Sequence, residues 1–224
     1  MIYILDTADL TSIKHCNEFY PLSGVTTNPS IIARANTDFW KLLLDIREII
    51  GDEKMLHVQT TAKKAEDIVS EAKLLRERLG ENFYVKIPIG EEGLKATVAL
   101  KKLGIGVTMT AIFTPSQALM ASVAGADFVA PYVNRLDKIG GDGARVVAEI
   151  VELLDIHGLD TKVLAASFKN TEQVHKCALC GCHSVTVTED ILKDLISYPL
   201  TDAAVEGFDR DWMSVYGNKK ITDM

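Results

Sequence analysis

Short apolar runs of strand length alternate along this chain with longer segments whose apolar residues recur at helical spacing. No other feature restricts the fold as much. The strand-like runs are "IYILD" (2–6), "LSGVTTN" (22–28), "MLHVQT" (55–60), "FYVKIP" (83–88), "GVTMT" (106–110), "DFVAPYV" (127–133), "KVLAAS" (162–167) and "SVTVT" (184–188). Between them, "TAKKAEDIVSEAKLLRERL" (61–79) puts Ala65, Ile68, Val69, Ala72 and Leu75 on one face. "EEGLKATVALKKL" (91–103) repeats that pattern, and "ARVVAEIVELLDIHG" (144–158) repeats it again and ends on a glycine. Eight such units predict an α/β protein, a closed (β/α)8 TIM barrel. The expected organisation is one domain over 1–224, with 199–224 as a C-terminal helical tail. An open doubly wound sheet also alternates, but no G-x-G-x-x-G follows the first strand.

Composition excludes several function classes. A net charge of −7 with no basic run argues against nucleic acid as a partner. No apolar run approaches the roughly 20 residues that span a bilayer, so no membrane partner is expected. The opening "MIYILDTADL" meets Asp6 at once and has no basic leader, unlike a signal peptide. Three of the four cysteines, Cys177, Cys180 and Cys182, are clustered, whereas a disulfide framework spreads them; Cys16 stands apart. The expected setting is the reducing cytoplasm.

In such a barrel, chemistry is done at the C-terminal ends of the strands, and alternate strand residues point inward. Reading the ends gives Asp6, Thr26 and Asn28, Gln59, Lys86, Thr110, Tyr132 and Ser167. Several have ordinary explanations. Asp6 could cap the first helix, and Asn28 before Pro29 could be a turn or cap residue. Gln59 could satisfy backbone groups, and Tyr132 could be a core aromatic. Lys86 is harder to explain away. It lies inside an apolar run, with Tyr84 and Pro88 on its own face and Val85 and Ile87 on the other. Charged side chains are almost never buried without a partner or a function; snorkelling to the barrel mouth is the alternative.

A buried lysine has a chemistry of its own. Burial disfavours the ammonium, and a neutral amine can attack a ketone to give a carbinolamine and then a Schiff base. The iminium is an electron sink for breaking the adjacent C–C bond. The reaction needs a proton shuttle, for which Asp6 and Tyr132 are candidates, and polar groups such as Asn28 and Ser167 for substrate hydroxyls.

Five separated motifs then carry a family resemblance: "GVTTNPSII" (24–32), "YVKIP" (84–88), "TAIF" with "QA" (110–118), "VAPYVNRLD" (129–137) and "VLAASFKN" (163–170). They resemble the transaldolase family, and most closely its small fructose-6-phosphate aldolase-like branch. The likeness continues through "ISYPLTDAAVEGFDRDW" (196–212). It implies a class I, Schiff-base aldolase that uses no metal or other cofactor. Lys86 matches the Schiff-base lysine, Asp6 and Asn28 its polar neighbours, and Thr110 the residue that helps hold a catalytic water. Arg135, Ser167 and Lys169 match positions that receive the sugar phosphate, and Thr26 joins the substrate-binding set. Gln59 and Tyr132 match the aldolase branch, where true transaldolases resemble one another in having glutamate and usually phenylalanine. The implied reaction cleaves or forms fructose 6-phosphate from dihydroxyacetone and glyceraldehyde 3-phosphate. The alternative is a transaldolase transferring the dihydroxyacetone unit between sugar phosphates. The resemblance also implies a homo-oligomer, pentamer or decamer, with the tail helix on a neighbouring subunit.

Two features are expected to matter less. "HKCALCGCH" (175–183) offers Cys and His ligand types, but it should lie in the connection before the last strand, away from the mouth. "GGDG" (140–143) could cradle a phosphate or simply form a loop.

Overall fold

The computed structural model describes residues 1–224. All eight apolar runs form strands: β1 (Ile2–Asp6), β2 (Leu22–Thr26), β3 (Met55–Gln59), β4 (Phe83–Pro88), β5 (Gly106–Ile112), β6 (Phe128–Pro131), β7 (Lys162–Ala165) and β8 (Ser184–Val187). They pair in sequence order, all parallel, and β1 closes on β8 to complete a barrel. The helices are α1 (Leu10–Phe19), α2 (Pro29–Ala35), α3 (Phe39–Ile50), α4 (Ala65–Leu79), α5 (Glu91–Lys102), α6 (Pro115–Val123), α7 (Val133–Asp137), α8 (Gly143–Ile156), α9 (Thr171–Leu179), α10 (Glu189–Ile196) and α11 (Pro199–Tyr216). This is the expected (β/α)8 barrel with a C-terminal helix. No helix is long and apolar enough to cross a membrane.

Helix starts at the mouth are written locally. Asn28 caps α2 by accepting the Ile31 N–H at 3.0 Å, and Pro29 follows at the first helical position, where its missing N–H costs nothing. Asp9, not Asp6, caps α1, accepting from the Ser12 N–H at 2.7 Å. Asn170 caps α9 in the same way. Three strands stop two residues before the ends of their apolar runs. β2 stops at Thr26, β6 at Pro131 and β7 at Ala165, so Asn28, Tyr132 and Ser167 lie in the loops just beyond. At β6 and β7 the backbone turns to start α7 and to take up the positive φ of 65° at Ser167. The tail helix ends at Tyr216, and a short 3-10 turn (Ile221–Asp223) follows.

The core lies in two places. The larger part fills the space between barrel and helices and takes the outward residues Val85 and Ile87 of β4. A smaller plug of Ile4, Phe128 and Leu164, with Ile2, Met55 and Tyr84 against it, fills the lower barrel. Above the plug most of the buried inward residues are polar: Thr26, His57, Lys86, Thr108, Thr110 and Thr186. The barrel is therefore apolar at its base and polar towards its mouth.

Gly24 on β2 lets β3 approach closely. A Cβ built there would lie 2.2 Å from the Met55 carbonyl oxygen, a backbone atom that cannot rotate away. Gly24→Ala should therefore cost about 3 kcal/mol. Urea unfolding measures it; an unchanged midpoint would contradict this β2–β3 geometry.

Candidate active site

Lys86 is held at the middle of the mouth by β4, with Gln59 of β3 and Thr108 of β5 as its register partners. It is 5 % exposed. Its Nζ donates to the Thr27 carbonyl at 2.8 Å. That carbonyl is itself oriented, because the Thr27 N–H donates to the His57 carbonyl at 2.9 Å. Burial pushes the Lys86 pKa down, and the Asp6 carboxylate only partly opposes it. The side chain is thus a buried amine whose ammonium form burial disfavours, with one hydrogen bond to a fixed acceptor.

On one wall, Asp6 ends β1 and accepts from the Thr26 hydroxyl at 2.7 Å. Thr26 and Thr186 hydroxyl oxygens are 2.6 Å apart. A hydroxyl has one proton to give, so with Thr26 donating to Asp6, Thr186 must donate to Thr26. Thr26 was expected among the substrate-binding residues, but it is fully buried behind Asp6 and does not line the cavity. Its contact is with the carboxylate, which it orients. Asn28 does line the cavity, with its Oδ1 also serving as the α2 cap.

On the opposite wall, the Thr110 and Tyr132 hydroxyls are 3.0 Å apart. The Tyr132 ring lies edge-on to Phe113 and carries the Arg135 guanidinium over its face at 4.7 Å. That stacking holds an exposed arginine at the mouth without neutralising it. Ser167 and Lys169 follow on the β7–α9 loop, and the Ser167 carbonyl accepts the Asn134 N–H. Asp6, Asn28, Lys86, Tyr132, Arg135, Ser167 and Lys169 all line one cavity of about 940 Å³. Gln59 is half-buried beside Lys86 and, like Thr110, does not line the cavity.

Four groups in or under the site have no part in the strand-end pattern. Thr27 binds the amine through its backbone, which no side-chain pattern reports. Thr186 and Asn134 belong to strand and helix interiors that look ordinary. Arg34 reaches the cavity from α2, with Nε donating to the Ser30 carbonyl at 3.1 Å. The glycines of the 140–143 loop do not line the cavity. Gly143 instead donates its N–H to Asp137 and packs against the Val133 backbone. Of the 175–183 segment, which was expected in the connection before the last strand, His175 and Cys177 lie in α9, and only Cys180, Cys182 and His183 lie between α9 and β8. The Cys180 and Cys182 thiols turn to backbone carbonyls, and His183 Nδ1 accepts the Val163 N–H, so these donors do not converge on a common point.

Beneath Lys86 sits His57, fully buried. Its ring stacks on Tyr84 at 4.8 Å and meets Phe128 edge-on, with Nδ1 2.9 Å from the Thr108 hydroxyl. Burial first, and then the Lys86 charge, push its pKa down to about 3, so the imidazole is neutral.

Chemically, the cavity offers an amine, a carboxylate, a phenol and a cationic rim. The family whose pattern matches the chain is described as "Transaldolase/Fructose-6-phosphate aldolase", and the match covers residues 3–219. Among solved structures, one described as "Native KDPGal structure" is similar at a TM-score of 0.58 and 17 % identity, over 84 % of this chain and 82 % of that one. A cube-shaped porous cage, designed by fusing symmetric oligomeric domains, is similar at 0.61 and 16 %, over 96 % and 77 %. A mandelate oxidase variant with a monooxide FMN adduct is similar at 0.58 and 11 %, over 96 % and 74 %. At these identities the solved structures share the barrel alone.

The neutral His57 makes a signed prediction. An unfolded chain protonates this imidazole below its ordinary pKa of 6.5, and the folded chain does so only near 3. Its contribution is fully present above pH 6.5 and is lost as the pH falls towards 3, by a few kcal/mol in all, on the order of 1.4 per unit. His57→Phe keeps an aromatic ring in place and should flatten the pH dependence of stability across that window. Chemical denaturation at several pH values tests this, and superimposable curves for the two proteins would refute it.

Proposed function

The chain belongs to the transaldolase/fructose-6-phosphate aldolase family, and from that premise we propose that it is a class I aldolase cleaving and forming fructose 6-phosphate. The observation that carries the proposal is a lysine amine buried at a barrel mouth, with its ammonium form disfavoured. In the proposed cycle, the neutral Lys86 amine leaves the Thr27 carbonyl and attacks the C2 ketone. Loss of water from the carbinolamine gives the iminium. A base takes the C4 hydroxyl proton as the C3–C4 bond breaks, and the electron pair flows into the iminium to give an enamine. Glyceraldehyde 3-phosphate leaves. Protonation of the enamine and hydrolysis of the resulting iminium then release dihydroxyacetone and restore the amine.

Tyr132, 3.0 Å from Thr110, is the group we assign to proton transfer, directly or through a water held by Thr110 and Gln59. Asp6 helps the amine exchange protons during carbinolamine formation, and Asn28 binds substrate hydroxyls. Arg135, Ser167 and Lys169 receive the phosphate; a guanidinium can meet two of its oxygens at once. The phenol and amide at 132 and 59 favour release of the enamine product to water, which supports the lyase over a transferase.

Incubation with fructose 6-phosphate and borohydride should add the mass of a reduced dihydroxyacetone adduct at Lys86, and Lys86→Met should abolish it. No adduct on the unmodified enzyme would end the Schiff-base reading. Glyceraldehyde 3-phosphate should appear without an added acceptor. Cleavage that requires erythrose 4-phosphate would make the enzyme a transaldolase instead.

We also propose that the enzyme is a homo-oligomer working in the cytoplasm. All four cysteines are free, which fits a reducing compartment. α11 buries none of its residues, and Leu200, Val205, Phe208, Met213 and Val215 are all exposed. Such a helix fits a neighbouring copy as its cover. Light scattering should give several times the 24.6 kDa chain mass, and Phe208→Glu should lower it. A monomeric parent would refute the assignment.

A further inference from the structure

A second group of reactive side chains lies outside the barrel mouth, where α1 meets α10. His15, Cys16 and Glu189 bring one ring nitrogen, one thiol and one carboxylate oxygen within 4.8 Å of one another. Cys16 is fully buried. His15 Nδ1 is 3.2 Å from Glu189 Oε1, yet that nitrogen is enclosed and has no hydrogen-bond partner. The His15 Nδ1 position is therefore uncommitted, while Glu189 Oε1 is held by Lys193 Nζ at 2.6 Å. The imidazole is also held in place, with its ring 4.9 Å from that of Phe19 and 6.4 Å from that of Tyr20.

We propose that His15, Cys16 and Glu189 form a binding site for a divalent zinc-type ion that staples α1 to α10. The donor set is one thiolate, one imidazole and one carboxylate, all ordinary zinc ligands, with a fourth position left for water. Zinc bonds of about 2.0–2.3 Å put ligand atoms about 3.3–3.8 Å apart in a tetrahedron. The His15–Glu189 pair, at 3.2 Å, is close to that spacing, and the thiol lies within 4.8 Å of both. Half of the imidazole surface is open, which supplies an entry path. The place also has a use for a staple. β1 and β8 close the barrel here, α1 packs chiefly on α3, and the α1–α10 seam is thin.

One local cation competes with the metal. Lys193 Nζ is 2.6 Å from the same Glu189 oxygen, so the ammonium balances the carboxylate when no metal is bound. Metal entry displaces it. Zinc binds the thiolate, so binding must expel the thiol proton: metal plus thiol gives metal thiolate plus one proton. Affinity should therefore rise with pH, by about tenfold per unit where one proton is released.

Zinc titrated into the full-length, chelator-dialysed protein should bind one ion per chain and raise the melting temperature. Cobalt should show a thiolate-to-metal absorption band. Cys16→Ser should remove that band, and His15→Ala, a change at a half-exposed position, should remove most of the affinity. Lys193→Gln, fully on the surface side, should tighten binding by removing the competing ammonium. If Cys16→Ser disturbs folding, the His15 and Lys193 variants decide the matter between them. No binding, or binding unchanged in both His15→Ala and Lys193→Gln, would overturn the site.

Discussion

The burial of one amine organises the upper half of this barrel. A lysine ammonium in an apolar surround would cost several kcal/mol, and the fold answers in two ways. It gives the amine one fixed acceptor, the Thr27 carbonyl, and it keeps the nearest carboxylate, Asp6, close enough to act on the charge without forming an ion pair. A tight pair would have favoured the ammonium more strongly. Asp6 is instead bonded to Thr26.

The rest of the interior follows from that choice. The lower barrel can be filled with Ile4, Phe128 and Leu164 because nothing there needs water. Higher up, each buried polar side chain has to be satisfied, and threonines do most of this: Thr26 with Thr186, Thr108 with His57, Thr110 with Tyr132. Threonine suits the task because its branched methyl packs like valine while its hydroxyl finds a partner. His57 is the costly member, with Nε2 buried and unpartnered. Its stacking between Tyr84 and Phe128 offsets part of that cost.

How much was legible in the sequence differs residue by residue. Lys86 stood out because a charge in an apolar run has few innocent explanations. Asp6, Asn28, Tyr132 and Ser167 could be found once strand ends were read together, since a closed barrel brings strand ends to one mouth. Their detailed contacts could not. Asn28 turned out to be both a helix cap and a cavity residue. Thr26 turned out to be a buttress behind Asp6. Strand parity gives the face a side chain occupies, but not its depth or its partner. Thr27 was invisible because its role is carried by a backbone carbonyl. His15, Cys16 and Glu189 were invisible because they come from opposite ends of the chain.

The sequence alone determined the class of fold and the central lysine. Hydrophobic periodicity is a local property, and eight repeats of it leave few parallel architectures. Only the tertiary structure decided which polar groups meet: the amine on Thr27, the phenol on Thr110, and the three ligand-type side chains that gather on α1 and α10. Those meetings depend on the closing of β1 against β8 and on the register between neighbouring strands. Closure and register are long-range, and no local pattern encodes them.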